Sequence, residues 1–369
     1  MKILHTADLH LGKTLNGYSL INDQEYILKK IEDIIKAEDI DVVVIAGDIF
    51  DRAITSIEAL DLFSNFVEYI NKNNKHLIAI LGNHDGDRIA FLNHILKQNN
   101  INIVSNVEKI TINDTVFSLI PYRDIHQFRA FYNEEFKTLE EAYLYALDDL
   151  GFDNTKFNML VAHDYFTNKG ERLIESDSEI KVNIGGLEAL DISMFKDYNY
   201  VALGHMHSPQ KVLNDNIRYS GSILKYSFSE VNSNKSVVVI NTETNSFDLI
   251  PLIPKRDLVD IKGTVEELTN PTNYRNYNYT TDFFRAILPK NEVDAYARLK
   301  QVYPNLMEIK VEEVKEVRTI EKEIVKEKDY LELFNIFYKE IDNNELDKEE
   351  KEIVKEFLGG VRWDLISLY

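Results

Sequence analysis

Asp41-Val42-Val43-Val44-Ile45-Ala46-Gly47 holds an unbroken apolar run between an acid and a glycine. A short, β-branched run with no polar alternation reads as a strand buried on both faces, and therefore as a sheet covered on each side. Similar runs recur at Lys2 to Thr6, His76 to Leu81, Asn102 to Val104, Thr115 to Ile120, Phe157 to Ala162 and Tyr200 to Leu203. Between the early ones the apolar spacing changes to that of a helix: Tyr26, Ile27, Ile31, Ile34 and Ile35 recur within Gln24 to Lys36, and Ser56 to Asn71 is amphipathic. This alternation predicts an α/β domain. Ser236 to Ile240 and Phe247 to Pro251, joined by Asn241 to Ser246, predict a late hairpin.

Pro251 and Pro254 then punctuate the chain. From Lys255 to Val317 the pattern is strand, helix, strand, helix, strand, clearest at Asp257 to Lys262, Thr281 to Leu288, Val293 to Val302 and Leu306 to Val311. Beyond Arg318 the chain is helical and highly charged. Leu331, Leu333, Phe334, Phe337 and Ile341 make one apolar face, and Ile353, Val354, Phe357 and Leu358 a second, which Gly359-Gly360 stops. Three parts are expected: 1–254, 255–317 and 318–369. With 369 residues, 44% of them hydrophobic, the chain has the length and apolar content for two or three folded parts.

Composition removes several chemistries. There is no cysteine, so disulfides, thiolate metal sites and cysteine nucleophiles are out. No run of about eighteen apolar residues could span a bilayer, and the polar residues Asp8 and His10 follow the N-terminus too soon for a secretory signal; a cytoplasmic protein is expected. The net charge of −20 weighs against a polyanionic substrate. Part of that acid lies in the tail, at Glu312-Glu313, Glu321 to Glu323 and Glu345 to Glu356, and carboxylates that hold metal ions are neutralised when loaded.

Five apolar runs end in short polar clusters: Asp8-Leu9-His10, Gly47-Asp48-Ile49-Phe50-Asp51, Gly82-Asn83-His84-Asp85, Ala162-His163-Asp164 and Gly204-His205-Met206-His207. In an open α/β sheet the loops at the carboxyl ends of the strands share one crevice. That places Asp8, His10, Asp48, Asn83, His163, His205 and His207 together. Residues two apart in extended chain point the same way, so Asp8/His10 and His205/His207 would each present two ligands; glycines 47, 82 and 204 would let the backbone turn. Imidazole, carboxylate and amide oxygen without thiolate suit manganese, iron or zinc, and seven ligands are too many for one small ion. Two ions bridged by Asp48 would suit phosphoryl displacement. His84 stands beside the ligands, placed to polarise a phosphate or protonate a leaving oxygen, with Asp85 or Asp51 as its carboxylate partner. Lys13, Arg52 and Arg123 are candidate phosphate contacts, set against the ordinary role of a solvated charge. Tyr274, Tyr277, Tyr279, Phe283 and Phe284 could stack on bases, although packing is their more ordinary use. His5, His76, His94 and His126 have no such context and read as structural.

The series D-x-H, G-D, G-N-H-D, a lone His and G-H-x-H resembles the metallophosphoesterase (calcineurin-like phosphoesterase) family. Thr6 to Leu15, Ala202 to Gln210, Tyr219-Ser220-Gly221-Ser222, Ser227-Phe228-Ser229-Glu230 and Lys235 resemble, more narrowly, the SbcD family of bacterial nuclease subunits, although Lys13 stands where that family usually has Arg. The resemblance spans nearly the whole chain. It implies a β-sandwich flanked by helices, a small α/β capping domain and C-terminal helices. It implies one manganese ion on Asp8, His10, Asp48 and His207 and a second on Asp48, Asn83, His163 and His205, with magnesium, iron or zinc as other candidates, and a catalytic, non-ligating His84. It further implies 3′-to-5′ exonuclease action on duplex DNA and endonuclease action on single strands and hairpins, in DNA repair, recombination and replication. The tail would dock on an SbcC-like ATPase, and the chain would form a homodimer within a heterotetramer. The competing reading is a general metallophosphoesterase, a phosphatase or cyclic-nucleotide phosphodiesterase. Gly47-Asp48-Ile49-Phe50-Asp51-Arg52 partly matches the phosphatase pattern G-D-x-x-D-R-G, and Ala53 breaks it.

Overall fold

The computed structural model describes residues 1–86, 100–168, 171–179, 189–312, 338 and 350–354. Its two compact units are Met1–Glu312 and Glu313–Tyr369. The first begins with β1 (Lys2–Thr6), α1 (Ile21–Ala37), β2 (Val42–Ala46), α2 (Ile57–Lys72), β3 (His76–Ile80) and β4 (Ile101–Val104). It continues through β5 (Glu108–Ile112), β6 (Thr115–Ile120), α3 (Ile125–Tyr132), α4 (Leu139–Leu150), β7 (Phe157–His163) and β8 (Tyr200–Gly204). β9 (Gln210–Val212), β10 (Asn214–Tyr219), β11 (Ser236–Asn241) and β12 (Ser246–Pro251) follow.

Two six-stranded sheets result, in the orders β12-β11-β1-β2-β3-β4 and β9-β10-β8-β7-β6-β5. β1 to β4 run parallel in the first, and β6, β7, β8 and β10 in the second. The two sheets make the α/β sandwich that the family resemblance implied. The reason is visible in the strands, whose two faces are both apolar. Ile3, Val42, Val44, Ile78 and Ile80 meet Phe117, Leu119, Met159, Val161 and Ala202 between the sheets. On the outer side of the first sheet, Leu4, Val43, Ile45, Leu77 and Ala79 lie under Ile27 and Ile31 of α1 and Phe63 and Phe66 of α2. Leu160, Ala162, Val201 and Leu203 of the second lie under Phe128, Tyr143 and Ala146 of α3 and α4. Each fully buried Val, Leu, Ile, Phe or Met side chain among these stabilises by about 1.5–3 kcal/mol. Ser56 caps α2 by accepting from Ala59 N–H at 3.3 Å, which fixes where that helix begins.

The last part of the first unit holds β13 (Leu258–Lys262), α5 (Val265–Thr269), β14 (Phe283–Leu288), α6 (Ala295–Val302) and β15 (Leu306–Val311). The three strands form their own parallel sheet. Ile261, Val265, Leu268, Phe284, Leu299 and Tyr303 give it a core of its own, while Leu258, Phe283 and Met307 join the larger core. Arg256 adds a two-pronged ion pair to Asp23, and Lys225 pairs with Asp257 at 2.9 Å. In the second unit Tyr338 Oη donates to Glu350 Oε1 at 3.5 Å. The expected docking stripe around Leu333, Phe334 and Phe337 lies outside the described residues.

Candidate metal centre

The ends of β1, β2 and β3 in one sheet and of β7 and β8 in the other open toward one another. The loops after β1 and β2 are joined by Asp8 N–H donating to Gly47 O and His10 N–H to Asp48 O, each at 3.0 Å. Asp8, His10, Asp48 and His205 have φ of 52°, 43°, 53° and 106°. Four non-glycine residues in the left-handed region within one site cost about 1–3 kcal/mol each, and such strain gathers where function needs it. The expected extended geometry of Asp8 and His10 is thereby corrected: left-handed turns, not strand alternation, aim their side chains. The glycines also act differently from expectation. Gly47 has φ +91°, but Gly82 and Gly204 are needed for space, since a methyl group on Gly82 would lie 2.2 Å from Asp48 Oδ1.

All seven predicted donors meet here. Asp48 Oδ2 lies 3.6 Å from His10 Nε2 and 3.4 Å from His163 Nε2. His10 Nε2 lies 3.0 Å from His207 Nε2. Asn83 Oδ1 lies 3.0 Å from His163 Nε2 and 3.2 Å from His205 Nδ1. Asp8 accepts from His205 N–H at 2.9 Å. Ligand atoms of Asp8, His10 and His207 fall within 4.8 Å of one another, as do those of Asp8, Asp48 and His163, and those of His10, Asp48 and His84. His10 Nδ1 is buried with no hydrogen-bond partner among the described residues. Buried imidazole nitrogens and carboxylates with one half-buried amide oxygen, packed this tightly, fit divalent ions of borderline hardness.

The electrostatics of three of the histidines agree with that fit. Burial lowers His205 to about 3, helped by the charge of His163, and burial also lowers His10 and His207. These rings are neutral, the state in which imidazole binds metal. At His163, burial works downward, but the carboxylates of Asp48 and Asp8 outweigh it and raise the ring to about 10. The Asp8–Asp48 pair thus draws positive charge into the site, the condition a divalent cation meets.

His163 Nδ1 donates to Ala46 O at 2.7 Å, which leaves Nε2 aimed inward. His84 N–H donates to Asp48 Oδ1 at 2.9 Å, and its Nδ1 lies 2.9 Å from the backbone oxygen of Asp51. Neither candidate carboxylate orients this ring. Asp85 accepts instead from the backbone N–H groups of Gly82, Ile49 and Phe50 at 2.9–3.1 Å, so its expected catalytic place is corrected to holding the loop after β2. Lys13 pairs with Asp51 at 2.7 Å beside the site. Arg52 is 80% exposed, 3.6 Å from Asp51. Arg123 donates to Ser105 O at 2.7 Å and lines a cavity of about 510 Å³ with Asn83 and Asp85. His5 is held between Tyr200 Oη and Leu203 O, each at 3.2 Å, as a structural residue. His76 starts β3 at the far end from the site, His126 sits on α3, and His94 lies outside the described residues. Phe283 and Phe284 are buried, as packing requires. The sequence pattern assigned no role to Ser178, Glu179, Glu230 or Lys235, which surround His207; Glu230 and Lys235 entered only among the residues that carry the family resemblance.

Residues 1–209 match the calcineurin-like phosphoesterase family. The SbcD component of the SbcCD nuclease of Staphylococcus epidermidis is 33% identical over 377 residues, covering 97% of this chain and 98% of that protein. The chain belongs to the calcineurin-like phosphoesterases, in the SbcD family. Two solved structures also align: an archaeal phosphodiesterase (17% identity, TM-score 0.34, 68% of this chain and all of that one) and a protein of Thermus thermophilus (12%, 0.42, 68% and 99%). The family uses divalent metal ions, and this chain is a metal-dependent phosphoesterase with the His/Asp groupings such ions need. Among the described residues no helix is long and apolar enough to cross a membrane.

Proposed function

We propose that this phosphoesterase is a two-metal DNA nuclease, a 3′-to-5′ exonuclease on duplex ends and an endonuclease on single strands and hairpins. It serves as the nuclease subunit of an SbcCD-type complex in DNA repair and recombination. The observation that carries the reading is the position of Asp48, whose one carboxylate oxygen lies within 3.6 Å of both His10 and His163. Asp8, His10, Asp48 and His207 hold one ion, and Asp48, Asn83, His163 and His205 the other, with manganese the first candidate. Bound there, the pair would polarise the phosphate and acidify the attacking water. The chain's own part is to gather the seven donors and to place His84. With His84 Nδ1–H donating to the Asp51 carbonyl, it is the doubly protonated ring that gives its Nε2 proton to the leaving oxygen and is left as the neutral imidazole.

Residues 255–317 form the cap that helps hold DNA, Lys13, Arg52 and Arg123 contact phosphate, and residues 318–369 dock on an SbcC-like ATPase. A homodimer is supported by Ile54, Ile57 and Leu60, which are 80%, 73% and 42% exposed at successive three-residue steps leading into and along α2. The test is cleavage of end-labelled single-stranded and hairpin DNA with manganese, magnesium or chelator, beside a small phosphate ester. Manganese-dependent cutting is expected; ester hydrolysis with DNA left intact, even with the ATPase partner added, overturns the nuclease reading in favour of a general phosphoesterase.

A further inference from the structure

His207 is gripped on three sides by residues outside the ligand set. Its backbone N–H donates to Glu179 Oε1 at 2.6 Å. Its carbonyl oxygen accepts from Lys235 Nζ at 2.7 Å. Its ring Nδ1 lies 2.7 Å from Ser178 Oγ, and that hydroxyl lies 2.7 Å from Glu230 Oε1 and 2.8 Å from Ser176 Oγ. The other oxygen of Glu230 accepts from Lys235 Nζ at 2.5 Å. Lys235 places its third N–H on Ser222 Oγ at 2.9 Å, so all three ammonium donors are engaged. Glu230 and Lys235 are only 2% and 5% exposed, and a buried pair with every lone pair and proton placed is rigid.

Proton counting along this chain has one solution. Glu230, facing the Lys235 ammonium, can only accept. Ser178 has a single proton and gives it to Glu230, so towards the ring Ser178 can only accept. The ring therefore carries its proton on Nδ1, and a neutral imidazole has no second one. Nε2 is left as a bare lone pair on the side where His10 Nε2 lies 3.0 Å away.

We infer that Ser178 and Glu230, anchored by Lys235, are positioning residues that fix the tautomer of His207 and so prepare Nε2 to bind a metal ion. The inference deepens the proposed two-metal function and rests on His207 being a ligand. Carboxylate partners of metal-binding histidines commonly set tautomer and ring orientation. Here a serine hydroxyl is interposed, supplied by residues 171–179, a segment apart in sequence from the loop after β8 that carries His207.

The test uses the full chain stripped of metal and labelled with ¹⁵N-histidine. Nitrogen–proton spectra are expected to show His207 with its proton on Nδ1 in the wild type and in Ser178→Thr, and a shift toward Nε2–H in Ser178→Ala. Glu230→Gln is expected to turn the chain around, because an amide can donate to Ser178 and the hydroxyl then donates to the ring. If that buried change prevents folding, the half-buried Ser178 variants carry the test. On manganese titration Ser178→Ala should weaken one of two ions about 10–100-fold and leave the other unchanged. An unaltered His207 tautomer in Ser178→Ala overturns the relay, as does equal weakening of both ions together with a general loss of thermal stability. Should the wild type take up no pair of ions, the two-metal reading falls, while the spectra still decide the relay.

Discussion

Gly204 ends β8 where it passes the end of β2, and Gly204→Ala is the sharpest single probe of how the two sheets build the site. A methyl group there would sit 1.8 Å from the carbonyl oxygen of Ala46, 2.9 Å from its carbon and 2.8 Å from His163 Nδ1. The obstacle is the backbone of a buried central strand, so no rotamer change relieves it. Retreat to the 3.4 Å of ordinary contact separates the strand ends and breaks the 2.7 Å bond from His163 Nδ1 to Ala46 O. Overpacking of this kind costs about 1–3 kcal/mol, and the lost hydrogen bond adds about 1 kcal/mol. The expected loss is therefore about 2–4 kcal/mol in urea unfolding of the metal-free protein, together with weaker binding of the ion assigned to His163. A loss below about 0.5 kcal/mol, the size of an ordinary surface substitution, would refute the close packing of strand ends on which the site rests.

Asp48→Ala is expected to lose both ions, and Asp8→Ala mainly one, as read by elemental analysis; equal losses would remove Asp48 from the bridging place. Burial lowers His5 from its ordinary 6.5 to about 3. The unfolded chain takes up that proton as pH falls through 6.5 and the folded one does not until about 3, so His5 contributes stability above 6.5 that is lost across this window. Urea unfolding between pH 7 and 4 should fall less steeply in His5→Gln than in the wild type, and parallel slopes would contradict the assignment. Ile54→Glu with Ile57→Glu should yield monomers by light scattering without loss of metal, whereas an unchanged dimer would place the interface elsewhere.

The fold was legible where one residue type had one use. Val42 to Ala46, apolar on both faces, could only be a covered strand, and β1, β3, β6, β7 and β8 fall where their apolar runs predict. β5, with alternating exposure in Glu108–Ile112, and β9 are edge strands with little apolar signal, and β10, inside the sheet, begins with the polar Asn214-Asp215-Asn216, so all three went unnoticed. The meeting of the seven donors was legible because each lies within a few residues of the end of an apolar run. Its support was not, since Ser178 and Glu230 reach His207 across 29 and 23 positions, and nothing local marks a hydroxyl as a proton relay. Asp85 misled for the opposite reason. Its neighbour His84 suggested a catalytic pair, but consecutive side chains diverge, and the carboxylate satisfies two backbone donors of the loop after β2 and one, Gly82, of the loop after β3.

In the proposed function, this chain's own residues hold two ions and His84 completes DNA cleavage beside them. The most direct measurement is manganese content and cleavage of labelled single-stranded DNA by His84→Ala next to the wild type. Two ions bound in both proteins, with cleavage lost only in the variant, is the expected result. Undiminished cleavage by His84→Ala with both ions in place would contradict the account.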